Sequence, residues 1–125
     1  MTRILLVEDN ELNRSLVRAI LSRTREPVLA GAALSEAGSL AEARALLAGA
    51  AFDLVLLDMH LPDGSGLALA QELQSTGAER PAIVALTAAV LPAEQAATLN
   101  AGCDAFLAKP YTSGQLIEAI GGLLN

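Results

Sequence analysis

The chain has 125 residues, of which 53% are hydrophobic and 18% are charged, with a formal net charge of −6 at pH 7. This length fits one domain, and the composition supplies enough apolar material for a core and too little polarity for disorder. The acidic balance and the scattered basic residues exclude a basic face that tracks phosphates, so we expect no direct nucleic-acid binding.

Cys103 is the only cysteine, which excludes an internal disulfide and a metal site built on paired cysteines. The first apolar run, residues 4–7, is too short for a signal peptide or a membrane span. We therefore expect a cytoplasmic protein without membrane insertion, and a single domain over residues 1–125 with no output domain.

Short apolar runs alternate along the chain with longer segments of helical period, which is the pattern of βα units. The first, third and fourth runs are apolar throughout, as strands covered on both faces by helices are. Residues 22–39, which Pro27 and Gly31 interrupt, are predicted to form a loop and then a short edge strand. The predicted strands are Arg3–Val7, Ala32–Ala37, Leu54–Leu57, Ala82–Leu86 and Ala105–Leu107.

The segments between these strands carry apolar residues at helical spacing. Two capping boxes and a proline suited to a first helical turn mark helix starts. The order is (βα)5, so the sequence predicts an α/β fold with an open, doubly wound parallel sheet. The repeating residues are Leu12, Leu16, Ala19 and Ile20; Leu40, Ala43 and Leu47; Leu67, Ala70 and Leu73; and Leu116, Ile117 and Ile120; the helix-start signals are Ser39 with Glu42, Thr112 with Gln115, and Pro92.

Chemically active side chains follow the strands at the edge where such sheets bind ligands. Glu8 and Asp9 follow the first strand, Asp58 the third, Thr87 the fourth and Lys109 the fifth. Three carboxylates that lie close together need a cation to offset their repulsion, and a hard divalent ion such as Mg²⁺ prefers oxygen ligands. The set predicts a phosphoryl site.

Asp58 ends the central buried strand and is the best candidate for a carboxylate that accepts phosphate covalently, as an acyl phosphate. Lys109 offers a point charge and Thr87 a hydroxyl for the phosphoryl oxygens. Taken one at a time, these residues have simpler explanations, since a lone acid after a strand is usually a cap or turn residue. By the same reasoning, Asp63 belongs to a turn and Phe106 to the core.

Four segments in this order, "LLVEDN", "DLVLLDMHLPDGSG", "ALTA" and "AFLAKP", resemble the receiver domain of bacterial two-component response regulators and hybrid histidine kinases. The resemblance covers about residues 3–124. It implies a flavodoxin-like sheet with strand order 2-1-3-4-5. It also implies a phosphoacceptor signalling domain, not an enzyme in its own right, which takes a phosphoryl group from a histidine kinase or a histidine phosphotransfer domain.

The resemblance assigns roles to individual residues. Glu8 and Asp9 match the acid pair that binds Mg²⁺, with Asp9 the more direct ligand, and Asp58 matches the phosphoacceptor and a further ligand. The backbone carbonyl of His60 matches another ligand. Lys109 matches the lysine that binds the phosphoryl group, in a cis Lys109–Pro110 bond.

Two positions match the family's switch: Thr87, whose hydroxyl turns towards the phosphoryl group, and Phe106, which moves inward and lacks the hydroxyl of the tyrosine often found there. The resemblance implies that the face formed by the fourth helix, fifth strand and fifth helix is the output or self-association surface. His60 and Ala89 match positions that tune hydrolysis of the acyl phosphate.

Other classes match the sequence less well. A flavodoxin needs a phosphate loop and stacking aromatics, an aspartyl phosphatase needs a second aspartate where His60 stands, and a P-loop NTPase needs its glycine-lysine motif. A degenerate receiver that acts without phosphorylation is the remaining alternative. Whether the domain acts alone or within a hybrid kinase stays open.

Overall fold

Three strands of the main sheet are apolar along almost their whole length, so the sheet lies in the interior of the molecule. The computed structural model describes residues 2–27, 29–76, 80–88 and 92–124, apart from the side chain of Glu94. The strands of its main sheet are β1 (Arg3–Val7), β2 (Ala33–Ala37), β3 (Leu54–Asp58), β4 (Ala82–Thr87) and β5 (Ala105–Ala108). The helices are α1 (Glu11–Arg23), α2 (Leu40–Gly49), α3 (Gly66–Gln74), α4 (Pro92–Asn100) and α5 (Ser113–Leu124).

All neighbouring strands of the main sheet are parallel, and their order is β2-β1-β3-β4-β5. The predicted doubly wound fold and strand order are therefore confirmed. β3, β4 and β5 each run one residue further than predicted, because Asp58 still pairs with Leu86 and Thr87 with Ala108. A small antiparallel hairpin, in which His60–Leu61 pairs with Gly64–Ser65, follows β3 outside this sheet.

Alternate residues of the central strands feed two separate core clusters, because side chains along a strand point to opposite faces. Leu5, Val55 and Ile83 belong to the cluster that packs under α2 and α3. Ile4 and Val84 belong to the cluster under α1 and α5. Both faces of the sheet are thus covered by helices, which explains why these strands are continuously apolar and not alternating.

The apolar repeat predicted for α1 is wrong for its first half. Val17 and Ile20 are buried, but Leu12 is 81% exposed and Leu16 is 45% exposed. Asn13, in the same turn as Leu12, is only partly exposed, so the covered strip of α1 runs through Asn13, Val17 and Ile20, and Leu12 and Leu16 lie to one side of it. The two leucines are left facing solvent.

Segment 22–39 follows the prediction of a loop and an edge strand. Helix α1 ends at Arg23, and β2 begins at Ala33, one residue later than predicted. Leu29 is fully buried in the α1 and α5 cluster and fastens the loop to the core. No helix among the described residues combines the length and the apolar character that crossing a membrane requires.

Gly66 permits α3 to start directly beside the end of β3. A Cβ atom at this position would lie 2.4 Å from the backbone oxygen of Asp58 and 2.9 Å from Met59 Cε. A Cβ at Gly122, in α5, would meet nothing within 4 Å. The two helical glycines therefore differ in what a methyl group would contact.

We expect Gly66→Ala to lower the free energy of unfolding by about 1–3 kcal/mol, because the backbone must shift to relieve the overlap. Gly122→Ala serves as the control, and we expect it to raise that free energy by about 0.5–1 kcal/mol through better helix propensity. Urea denaturation measures both. Equal effects of the two substitutions would contradict the close approach of Gly66 to the β3 backbone.

Candidate functional site

The hydrogen-bond ladder of the sheet continues past the strand ends and fixes the backbone of the candidate site. The N–H of Glu8 donates to Ala37 O at 2.9 Å, and the N–H of Lys109 donates to Thr87 O at 2.8 Å. The Lys109–Pro110 peptide bond is cis, as the resemblance implies. These residues therefore lie at defined places along the carboxyl edge.

Lys109, the only lysine of the chain, joins two carboxylates at this edge. Its Nζ lies 2.9 Å from Glu8 Oε2 and 3.4 Å from Asp58 Oδ2. The Glu8 and Asp58 side chains are only 2% and 7% exposed. The structure thus brings together three of the predicted site residues, from β1, β3 and the end of β5.

Glu8 is held as an ionised acid. Burial raises the pKa of its carboxyl, but the hydrogen bond and charge of Lys109 and the N–H of Asn10 outweigh burial and leave the pKa below its ordinary value. That N–H reaches Glu8 Oε1 at 3.1 Å. Since Lys109 takes the other oxygen, both oxygens of Glu8 have a donor.

The burial of the Asp58 carboxyl is less well compensated than that of Glu8. Burial raises the pKa of this carboxyl above its ordinary value, and the negative charge of Glu8 adds to the rise. The N–H of His60, 3.2 Å from Asp58 Oδ1, and the more distant Lys109 offset only part of it. Asp58 is therefore a carboxylate whose burial is only partly offset by its hydrogen bonds and by Lys109, which is a common condition of functional acids.

Asp9 completes an acidic cluster that could hold a metal ion. One ligand oxygen from each of Glu8, Asp9 and Asp58 lies within 4.8 Å of the others, and Asp9 is exposed. A donor set made only of oxygens suits a hard divalent cation. An ion here would meet the charge excess around Asp58 from the open side of the cluster.

The two predicted switch residues lie on β4 and β5, the strands that follow β3 in the sheet. Thr87 is 2% exposed at the end of β4 and lines a cavity of about 260 Å³ together with Met59, His60 and Thr98. Phe106, in β5, is half-buried and packs against the core cluster under α2 and α3. The imidazole of His60 is exposed at the mouth of the same cavity. Ala89 lies outside the described residues.

Two residues around the site were not found from the sequence. Arg14 of α1 donates from Nη1 to the backbone oxygen of Glu8 at 3.3 Å. Asp63, read as an ordinary turn residue, accepts hydrogen bonds from the first two N–H groups of α2. No pattern in the sequence singled out Arg14. Capping rules search only near a helix in sequence, and Asp63 is 23 residues from Leu40, where α2 begins.

A larger cavity, of about 540 Å³, lies between α2 and α3 at the opposite edge of the sheet. Its charged lining residues are already paired, Arg44 with Glu72 and Arg80 with Asp104. Its remaining lining is largely apolar. The described side chains therefore give this cavity none of the convergent, uncompensated charge found around Asp58.

A family model described as the response regulator receiver domain matches residues 4–121 of this chain. The chain belongs to that family. It is a receiver domain of two-component and phosphorelay signalling, the class that also includes the receiver domains of hybrid histidine kinases. The four motifs read from the sequence thus predicted the family correctly.

Individual relatives agree with this assignment. The receiver domain is 37% identical to the two-component response regulator ORR41 of rice, over 93% of this chain and 89% of that protein. It is 33% identical to the transcriptional regulatory protein PmrA of Pectobacterium parmentieri, over 98% of this chain but only 52% of PmrA. It thus spans about half the length of PmrA.

The receiver domain is also similar to a solved response regulator from Burkholderia pseudomallei, described as carrying a phosphorylated aspartic acid, a calcium ion and citrate. The TM-score is 0.79 at 27% identity, and the match covers 100% of this chain and 67% of that chain.

The raised pKa of Asp58 predicts how its ionisation affects stability. An acid whose pKa is higher in the folded state stabilises the fold at low pH and loses that contribution as pH rises from its ordinary value, 3.8, through its folded value. At pH 7 without metal we therefore expect Asp58→Asn to raise the melting temperature, and the gain to vanish near pH 3.8.

Asp104→Asn is the control of opposite sign. The pKa of Asp104 is lowered, chiefly by its hydrogen bond with Arg80, so its stabilising contribution is present above the ordinary pKa and is lost as pH falls through the folded one. We expect this variant to melt lower than wild type at pH 7. Thermal denaturation in EDTA at several pH values tests both signs, and a lower melting temperature for Asp58→Asn at pH 7 would contradict the raised pKa of Asp58.

Proposed function

We propose that this receiver domain accepts a phosphoryl group on Asp58 from the phosphohistidine of a histidine kinase or a histidine phosphotransfer domain. The observation that carries the proposal is the convergence of Lys109, Glu8, Asp9 and Asp58 on one edge of the sheet. Such an edge combines a buried nucleophile with a cation and with open metal ligands.

In the proposed reaction, an oxygen of the ionised Asp58 attacks phosphorus and forms an O–P bond. The P–N bond to the donor imidazole breaks, and the imidazole leaves with the bonding electron pair and takes a proton. Lys109 lies 3.4 Å from Asp58 Oδ2 and can bind a phosphoryl oxygen there, while the Thr87 hydroxyl can donate to another. Hydrolysis of the acyl phosphate would return Asp58 to its starting state.

We propose Mg²⁺ as the metal, held by Asp9, Asp58 and the backbone carbonyl of His60, with Glu8 completing the acidic cluster. When bound, it supplies positive charge for the transferred group. Asp9 is the more direct ligand of the acid pair because it is exposed, whereas both oxygens of Glu8 already have donors. The phosphorylated aspartic acid and calcium ion of the similar Burkholderia protein are consistent with this assignment.

The proposal concerns the receiver domain alone, taken as one domain over residues 1–125, and not the activity of any longer protein. The domain would catalyse only its own phosphorylation and dephosphorylation, in the cytoplasm where kinases make phosphohistidine from ATP. A degenerate receiver is the weaker alternative, because each position that the family uses for phosphoryl chemistry holds a residue able to perform it.

We further propose that phosphorylation switches the face formed by α4, β5 and α5. A phosphoryl group adds about −1.5 to −2 charges beside Thr87, whose movement would open space for Phe106. Phe106 lacks a hydroxyl, so packing alone would hold its inward position. Leu99 of α4 is 42% exposed and gives this face an apolar contact residue for an output partner or a second copy.

The donor would dock on the first turns of α1. Leu12 and Leu16 are exposed there, in the helix that begins just after Asp9. Among the described residues, the large exposed hydrophobic side chains are these two and Leu99. A helix presenting phosphohistidine could pack against these leucines and reach Asp58 from the open side of the site.

Phosphorylation is tested with acetyl phosphate and Mg²⁺. We expect intact-mass spectrometry to show the addition of one phosphoryl group to wild type, and none to Asp58→Asn or to wild type in EDTA. Asp53→Asn is the matched control, because Asp53 directly precedes β3 and so lies at the opposite end of this strand from Asp58. Labelling of Asp58→Asn, or no labelling of folded wild type, would refute Asp58 as the acceptor.

Donor docking is tested with a phosphorylated histidine phosphotransfer domain that labels wild type. We expect Leu12→Ala and Leu16→Ala together to slow transfer about tenfold, because buried apolar anchors dominate such interfaces. Labelling by acetyl phosphate should not change. Leu99→Ala is the control, and an equal slowing by Leu99→Ala would contradict docking on α1.

A further inference from the structure

The hairpin that follows Asp58 is tied to helix α2 by a single carboxylate. Asp63 Oδ1 accepts from the N–H of Leu40 at 2.8 Å, and Asp63 Oδ2 accepts from the N–H of Ala41 at 3.0 Å. Leu40 and Ala41 begin α2, and the first N–H groups of a helix have no partner within it. Each oxygen of Asp63 therefore satisfies one N–H group of a helix that is distant in sequence.

Packing reinforces these hydrogen bonds at the tip of the hairpin. Gly64 has a φ of 148°, and a Cβ atom at this position would lie 3.0 Å from Leu40 Cδ1. Leu61 is buried in the same core cluster as Leu40. The tip of the hairpin is thus both hydrogen-bonded to the start of α2 and packed against it.

The base of the hairpin is joined to the phosphoacceptor. His60 pairs with Ser65 across the hairpin, and the N–H of His60 donates to Asp58 Oδ1 at 3.2 Å. The N–H of Gly66 donates to Met59 O at 3.0 Å and closes the base. The hairpin has only two paired residues on each side. Fixing the backbone at Asp63 therefore also restricts the backbone at His60, three residues away.

We propose that Asp63 is a positioning residue that holds the backbone carbonyl of His60 in place for the metal ion. The inference rests on the proposed metal site and adds a residue that does not touch the ion. A purely structural role for Asp63 would be to cap α2. Ser39 has that role too, since its Oγ accepts from the N–H of Glu42 at 3.1 Å, but Ser39 is not part of the hairpin.

The comparison of Asp63→Ala with Ser39→Ala separates positioning from capping. Both substitutions remove capping of α2, and both should lower the melting temperature. Mg²⁺ titrations can be followed by the fluorescence of Tyr111, the only tyrosine in a chain without tryptophan, and by the NMR signals of His60, the only histidine. We expect Asp63→Ala to weaken Mg²⁺ binding about tenfold, as loss of a residue behind a metal ligand does.

Ser39→Ala should leave the Mg²⁺ dissociation constant within about twofold of wild type, because its hairpin stays tied. Asp63→Asn keeps one acceptor oxygen, so its Mg²⁺ affinity should lie between those of wild type and Asp63→Ala. It replaces Asp63→Ala in this comparison if that variant does not fold. Without metal, Asp63→Ala should also speed hydrogen exchange at the Gly66 amide, which closes the hairpin.

Equal Mg²⁺ affinities for the Asp63 and Ser39 variants, with wild type binding normally, would overturn the positioning role and leave the proposed function intact. Absence of any Mg²⁺ response in wild type would overturn both.

Discussion

The ammonium group of Lys109 between two buried carboxylates is the interaction on which the site depends. Glu8 and Asp58 come from adjacent strands, and their charges could not both be kept so far from water without a cation between them. One lysine does not neutralise three acids, so negative charge remains in excess. That excess lies on the open side of the cluster, where Asp9 is exposed and where the three carboxylates could hold a divalent cation.

Lys109 lies closer to Glu8 than to Asp58, and this difference distinguishes the two carboxylates. It makes its shorter contact, 2.9 Å, with Glu8, whose pKa is lowered, and stays 3.4 Å from Asp58, whose pKa is raised. Glu8 is therefore a satisfied structural anion that fixes the lysine. The negative charge of Asp58 is less fully compensated, which is consistent with the proposed role of Asp58 as a nucleophile next to a metal ion.

Periodicity and strand-end chemistry predicted a doubly wound parallel sheet and the residues at its edge, and the resemblance to receiver domains supplied the strand order. Continuous apolar runs gave β1, β3 and β4 because each is covered on both faces. What the sequence could not reveal are contacts whose partners are far apart along the chain, such as Lys109 with Glu8 and Asp63 with Leu40. Leu12 was misread for a different reason: it repeats with Leu16 and Ile20 at helical spacing, but the strip of α1 that packs on the sheet runs through Val17 and Ile20 and leaves Leu12 to one side.

Helix caps fix the backbone of the short loops that carry the candidate site. The side chain of Asn10 accepts from the N–H of Asn13 and starts α1 directly after Asp9, and Ser65 likewise starts α3 at the end of the hairpin. Thr112 and Gln115 close the start of α5 three residues after Lys109. In each case the residues that satisfy the open end of a helix also fix the backbone beside a reactive side chain. The hydrogen bonds that start these helices therefore also help to hold the charged groups of the site at defined distances.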